Sequence, residues 1–181
     1  MVRDMQDTVS LASHIRVNTL TKLLEYKKWA DDLACHTVKS IPQDEAFRVR
    51  KTTFDNIVRT MNHSCVVEDI FKHHLLGVRH TYQTRNTEHT PSVDELVFFV
   101  ERMNDWYLAH VGSWRDDDLD VLVHFEFLNG RPAAMTREDI VLHIVNHATY
   151  HRGFVGDMLK QIPHDWPSND FTVFVCPERG A

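Results

Sequence analysis

Four stretches of the chain repeat apolar residues at steps of three and four, the spacing that gathers them on one face of an α-helix. In residues 10–40 the stripe runs through Leu20, Leu23, Leu24, Lys27, Ala30, Ala34 and Val38, with Tyr26 and Trp29 beside it and Pro42 closing it. In residues 53–76 it runs through Phe54, Ile57, Val58, Met61 and Cys65, and Gly77 is the stop. Ser92 and Glu95 form a capping box, from which a third helix passes through Leu96, Val100, Met103, Tyr107 and Val111 to Trp114. The fourth, residues 136–161, is capped by Thr136, has Glu138 and Asp139 at its positive end, and buries Ile140, Ile144, Val155 and Leu159.

Between these stretches the pattern changes. Residues 77–91 have no apolar period and many turn formers, which predicts a loop bordering a pocket. After an acid-rich break at 115–120, β-branched and aromatic residues around Asn129 and Gly130 predict a short hairpin or an irregular crossover. The tail, HDWPSNDFTVFV, is expected to run extended along the bundle and help cover a site. The fold class is therefore all-α: a four-helix bundle with a long crossover, one domain over residues 1–181.

Composition narrows the class. With 43% hydrophobic and 25% charged residues, the 181-residue chain suits a globular protein with a substantial core. A net charge of −6 with no basic stripe argues against nucleic-acid binding, and no long apolar run suggests a membrane span or a signal peptide at the N-terminus. Cys35, Cys65 and Cys176 lack C-x-x-C spacing, as expected of reduced thiols in a cytoplasmic protein.

The chemistry concentrates in the fourth helix, where His143, His147 and His151 recur every four residues. Such a step rises about 6 Å and turns about 40° past a full turn, so the rings form one row and neighbouring pairs can share an ion. Three rings in one row cannot easily converge. His147 and His151 are the preferred pair, and a third ligand has to come from another helix. On the second helix, Asn62 and His63 both flank the apolar stripe, whereas Cys65 lies about 200° around from His63. His73 and His74, in the last turn of that helix, read as surface residues, and His80 and His89 have no assigned role. The competing reading is an exposed stripe in a chain that has 13 His.

A dinuclear carboxylate centre would need a Glu three residues before a His on two helices, and no E-x-x-H occurs. YKKWAD at 26–31, MNHSCVVEDIF around His63, HIVNHATYHRG and WPSNDFTVFV resemble the DinB-like, or damage-inducible, four-helix metalloproteins. Relatives of that family include thiol-dependent S-transferases and mycothiol-dependent maleylpyruvate isomerase. The resemblance implies metal ligands at His63, His147 and His151, with His143 as a neighbour. Tyr150 stands where the family often has His, and Phe154 where a polar residue is usual.

It further implies one divalent ion per chain, zinc or nickel, a low-molecular-weight thiol cosubstrate, a small-molecule substrate and a homodimer. Three imidazoles would leave an open position able to acidify a thiol or water. The expected activity is thiol S-transfer, with metal-dependent hydrolysis and non-catalytic metal binding as alternatives, and no residue stands out as a general base. Arg152 is expected to pair with an acid of the bundle rather than with a cosubstrate carboxylate, and Glu68 and Asp69 to orient a ligand ring or face solvent.

Overall fold

The structure, a computed structural model, describes residues 14–177. Helix α1 spans Ile15–Ser40, the short α2 Gln43–Phe47, α3 Ile57–Leu76 and α4 Val93–Gly112. A 3-10 turn at Asp116–Asp120 leads into strands β1, Leu122–Glu126, and β2, Pro132–Thr136, and then come α5, Arg137–Leu159, and the short α6, Phe171–Val175.

The four long helices make an all-α bundle whose contacts form a ring: α1 packs on α4 and α5, and α3 packs on the same two. Helices α4 and α5 thus stand on a diagonal, and residues 113–136 cross between them. The crossover carries the hairpin, with Val123 opposite Met135 and Phe125 opposite Ala133. Its Phe125 is buried against Phe71 of α3.

Two apolar clusters fill the bundle. One gathers Cys35, Val38, Ile57, Met61, Cys65, Leu96 and Met158, and the other Leu20, Leu24, Phe71, Tyr107, Ile140 and Ile144. On every long helix buried polar residues gather where the two clusters meet: Lys27 and Asp31, His63 and Glu68, Asn104, and His151 with Arg152. The bundle is therefore apolar at both ends and polar at mid-height.

Helix boundaries follow local chemistry. Thr136 and Ser92 cap α5 and α4 with full capping boxes, and Gly77 ends α3 in the left-handed region at φ 66°. Helix α3 starts at Ile57, not at 53, because the Asn56 side chain accepts from the Arg59 amide at 2.9 Å and Asp55 has φ 67°. Phe54 is thereby left outside the helix, free to stack elsewhere. The polar connector after Pro42 forms α2, seated by the buried Ala46.

The tail is not extended throughout. Asp170 accepts from the amides of Val173 and Phe174 at 3.0 and 3.2 Å, which starts a turn of helix. That turn places Phe171 and Phe174 side by side on Tyr26, with ring centroids 5.2 and 5.8 Å away. An extended strand would send residues three apart to opposite faces. Residues 10–13 of the expected first helix, and most of the N-terminal stretch read as lacking a signal, lie outside the described residues. No described helix is long and apolar enough to cross a membrane.

Candidate metal site

His63 is only 3% exposed and donates Nδ1–H to the backbone carbonyl of Arg85 at 2.6 Å. A carbonyl only accepts, so Nδ1 carries the proton and Nε2 keeps its lone pair. His147 and His151 stand one turn apart on α5 with their Nε2 atoms 3.2 Å apart. One nitrogen from each of the three rings lies within 4.8 Å of the others, and no other such group of His, Cys, Asp or Glu occurs among the described residues.

The spacing fits an ion. Two nitrogens bound at about 2.1 Å lie about 3.0 Å apart at a right angle and about 3.4 Å apart at the tetrahedral angle. The 3.2 Å between His147 and His151 falls between these. The Nδ1 atoms of both rings are buried and find no hydrogen-bond partner in the protein, so what the two rings share is the space between their Nε2 atoms.

The protonation states agree with this. Burial, and then repulsion from the neighbouring imidazoles and Arg85, holds His147 down to about 3; burial and His63 hold His151 to about 4. Burial also lowers His63, although the hydrogen bond to Arg85 opposes it. All three are neutral near pH 7, the form in which imidazole ligates metal. His143 stays outside the group, its ring 5.3 Å from His147 and 4.8 Å from Phe71.

Helix α3 ties down the loop that supplies the Arg85 carbonyl. Asn62 Nδ2 donates to Asn86 Oδ1 and, at 2.7 Å, to Thr87 Oγ1; Asn86 Nδ2 donates back to the Arg59 carbonyl at 3.0 Å. Tyr82 donates to Asp69 at 2.8 Å, and Arg59 to Thr90 at 3.0 Å. Asn62 thus secures the loop that orients His63, and Asp69 is neither a ligand partner nor a free surface acid.

Beside the triad, the polar layer is an ion network. Lys27 spends its three donors on Asp31 at 2.8 Å, Glu68 at 2.9 Å and Asn104 at 2.8 Å, while Arg152 donates to the other Asp31 oxygen at 2.8 Å. The pairing of Arg152 with a bundle acid is as expected. Glu68 is buried rather than solvated, and it holds Lys27 rather than a histidine. Asp31 is pushed up by burial but faces two cations, which bring it below the usual range; Glu68 shares only Lys27 closely, and burial leaves it raised. Burial also raises Cys65, which packs in the apolar cluster and is not among the converging ligand atoms.

Two aromatic walls enclose the triad. On one side Phe54 stacks on His63 at 4.1 Å, and the exposed Tyr150 meets the half-buried Phe154 edge to face at 4.9 Å. On the other a cavity of about 550 Å³ extends from His147 and His143 between α3 and the hairpin, bordered by Phe71, Phe125 and Phe127. His74, expected at the surface, stacks on Phe125 at 4.6 Å, and burial lowers it to about 4. The hairpin, which carries no helical period, makes that position a wall.

The sequence model of the DinB family matches residues 5–179. The chain belongs to the DinB family. It is 20% identical over 160 residues to Protein DinB of Bacillus subtilis strain 168, covering 85% of this chain and 92% of that one. The crystal structure of a DinB-like protein from Bacillus cereus ATCC 10987 superposes with a TM-score of 0.57 at 15% identity, over 80% of this chain and 91% of the other. The DinB fold thus brings His63 of one helix to His147 and His151 of another, and leaves His143 beside them.

Proposed function

We propose that the protein holds one divalent ion, zinc or nickel, on His63, His147 and His151, and that it is an enzyme of the thiol S-transferase type. The observation that carries the reading is the convergence of three neutral imidazoles, two with Nε2 atoms 3.2 Å apart, one of which, His147, borders a cavity of about 550 Å³. A divalent ion on three imidazoles keeps its charge and an open position, and it favours the deprotonated form of a thiol or water bound there.

The chain's own residues set the conditions for that chemistry. The Arg85 carbonyl fixes the tautomer of His63, and Phe71, Phe125 and Phe127 give an apolar wall where an electrophile can lie. In S-transfer, a sulfur lone pair forms the new C–S bond, the leaving group departs with its bonding pair, and the thiol proton passes to solvent. Asp31 and Glu68 border a small space with His151, but Lys27 and Arg152 already engage them. A hydrolase would need a free proton carrier there, which favours a thiol over water. A homodimer belongs to the proposal through the family resemblance alone; cytoplasmic residence draws support from the free thiols of Cys35, Cys65 and Cys176.

Cobalt substitution tests the reading. Adding 2-mercaptoethanol to the cobalt-loaded protein is expected to produce a sulfur-to-cobalt charge-transfer band, absent in His63→Ala. A site whose spectrum ignores thiols contradicts S-transfer. In the same protein, Asn62→Leu is expected to release the Arg85 loop and weaken zinc binding by about 10- to 100-fold while helix content stays unchanged, read by chelator competition. Unchanged affinity would show that the loop does not orient His63.

A further inference from the structure

The cavity beside the triad has a chemical bias of its own. Its apolar side is large and aromatic: Phe71 and Phe125 are buried, the more exposed Phe127 stands at the rim, and Val67, Ile70 and Met135 fill between them. At the end where His147 sits, Arg85 borders the same space. Its backbone is held in place, since its carbonyl accepts from His63 and the next residue, Asn86, is locked to α3. Its guanidinium has no ion pair or hydrogen bond to an acid among the described residues. The second cation on the lining, Arg131, is engaged at 4.4 Å over the Phe127 ring, and the lining's one carboxylate is Glu126 of the hairpin.

We propose that this cavity binds an apolar organic carboxylate, with its anionic group on Arg85 and its hydrocarbon body against Phe71, Phe125 and Phe127. A planar guanidinium recognises a carboxylate through two parallel N–H···O bonds, and the exposed guanidinium of Arg85, uncommitted at the edge of an apolar cavity, has this as its natural counterpart. The size fits a ligand of roughly ten to twenty heavy atoms, by the usual range of ligand cavities. The orientation rests on the reading of the three histidines as ligands: the carboxylate end, with the carbons next to it, then lies at the ion. Binding itself does not depend on that reading.

The probes are 3-phenylpropionate and its uncharged isostere 3-phenylpropanamide, titrated calorimetrically into zinc-loaded and zinc-free protein, with metal content measured on each sample. The acid is expected to bind about tenfold or more tighter than the amide in both forms, as a charge-assisted pair requires. Arg85→Gln should bring the acid down to the level of the amide, leave the amide unchanged and retain zinc, because the carbonyl that holds His63 belongs to the backbone. Arg85→Lys should restore part of the difference. Equal affinity for acid and amide, no binding of either, or a preference that survives Arg85→Gln overturns the proposal. A preference seen only with zinc overturns it too, because the ion would then be the anion's partner. Unsubstituted protein that takes up no zinc yet prefers the acid, with the preference lost in Arg85→Gln, would strike the metal reading and leave this one standing.

Discussion

Replacing His63, His147 or His151 with Ala is expected to weaken zinc binding by more than about 100-fold each, beyond the loss typical of residues that only orient a ligand. His143→Ala should leave affinity nearly unchanged. The contrast follows from position. His143, His147 and His151 are alike in sequence, spacing and helix, yet only the last two have Nε2 atoms facing each other beside His63. His143 turns instead to Phe71 and the cavity. Competition with a chromogenic chelator gives the affinities, and circular dichroism shows that each variant is folded. Equal losses in all four variants would mean that the row acts as a loose cluster, and equal retention would mean that it is not a site.

Lys27→Met is expected to lower the stability of the fold by about 3 to 5 kcal/mol, the cost of leaving buried charge unpaired. Against a total of about 5 to 15 kcal/mol this is severe. The ammonium satisfies Asp31, Glu68 and Asn104 at once, and its loss leaves Glu68 without its close cation, since Arg152 bonds Asp31 and Thr149 but not Glu68. Adding Glu68→Gln should recover part of the loss. The pH dependence has a definite sign. Burial already raises Glu68 in the folded state, and removing Lys27 raises it further. A folded state that binds the proton more tightly gains stability as pH falls through the folded pKa, so the variant should be more stable near about pH 5.5 than near about pH 8. Asp31 works in the opposite direction: its depressed folded value gives stability above about 3.9 that is lost as pH falls through the folded pKa. Urea unfolding at the two pH values checks the sign, and equal stability at both would contradict it.

These two layers were unequally legible in the sequence. The histidine row, the caps at Thr136 and Ser92, and the Gly77 stop are local signals, and the structure has them where the spacing puts them. The sequence put Arg152 beside His151 and favoured pairing with an acid of the bundle, and Asp31 is that acid. The role of Lys27 did not show, because a lysine in an apolar stripe reads as a boundary residue until its partners on two other helices, Glu68 and Asn104, are seen. Nor did Arg85 or His74. Both act through long-range placement, one by a loop carbonyl 22 positions from His63 and the other by a hairpin folded over the end of α3. The tail misled because WPSNDFTVFV has the β-branched and aromatic composition of a strand, while Tyr26 selects the helical spacing of Phe171 and Phe174.

The most direct measurement is the metal-to-chain ratio of untagged, gently purified protein by elemental mass spectrometry. A three-histidine site predicts about one zinc or nickel ion per chain. No bound metal, even after incubation with zinc or nickel and removal of the excess, would contradict the account and leave the three converging imidazoles as ordinary packing of the DinB bundle.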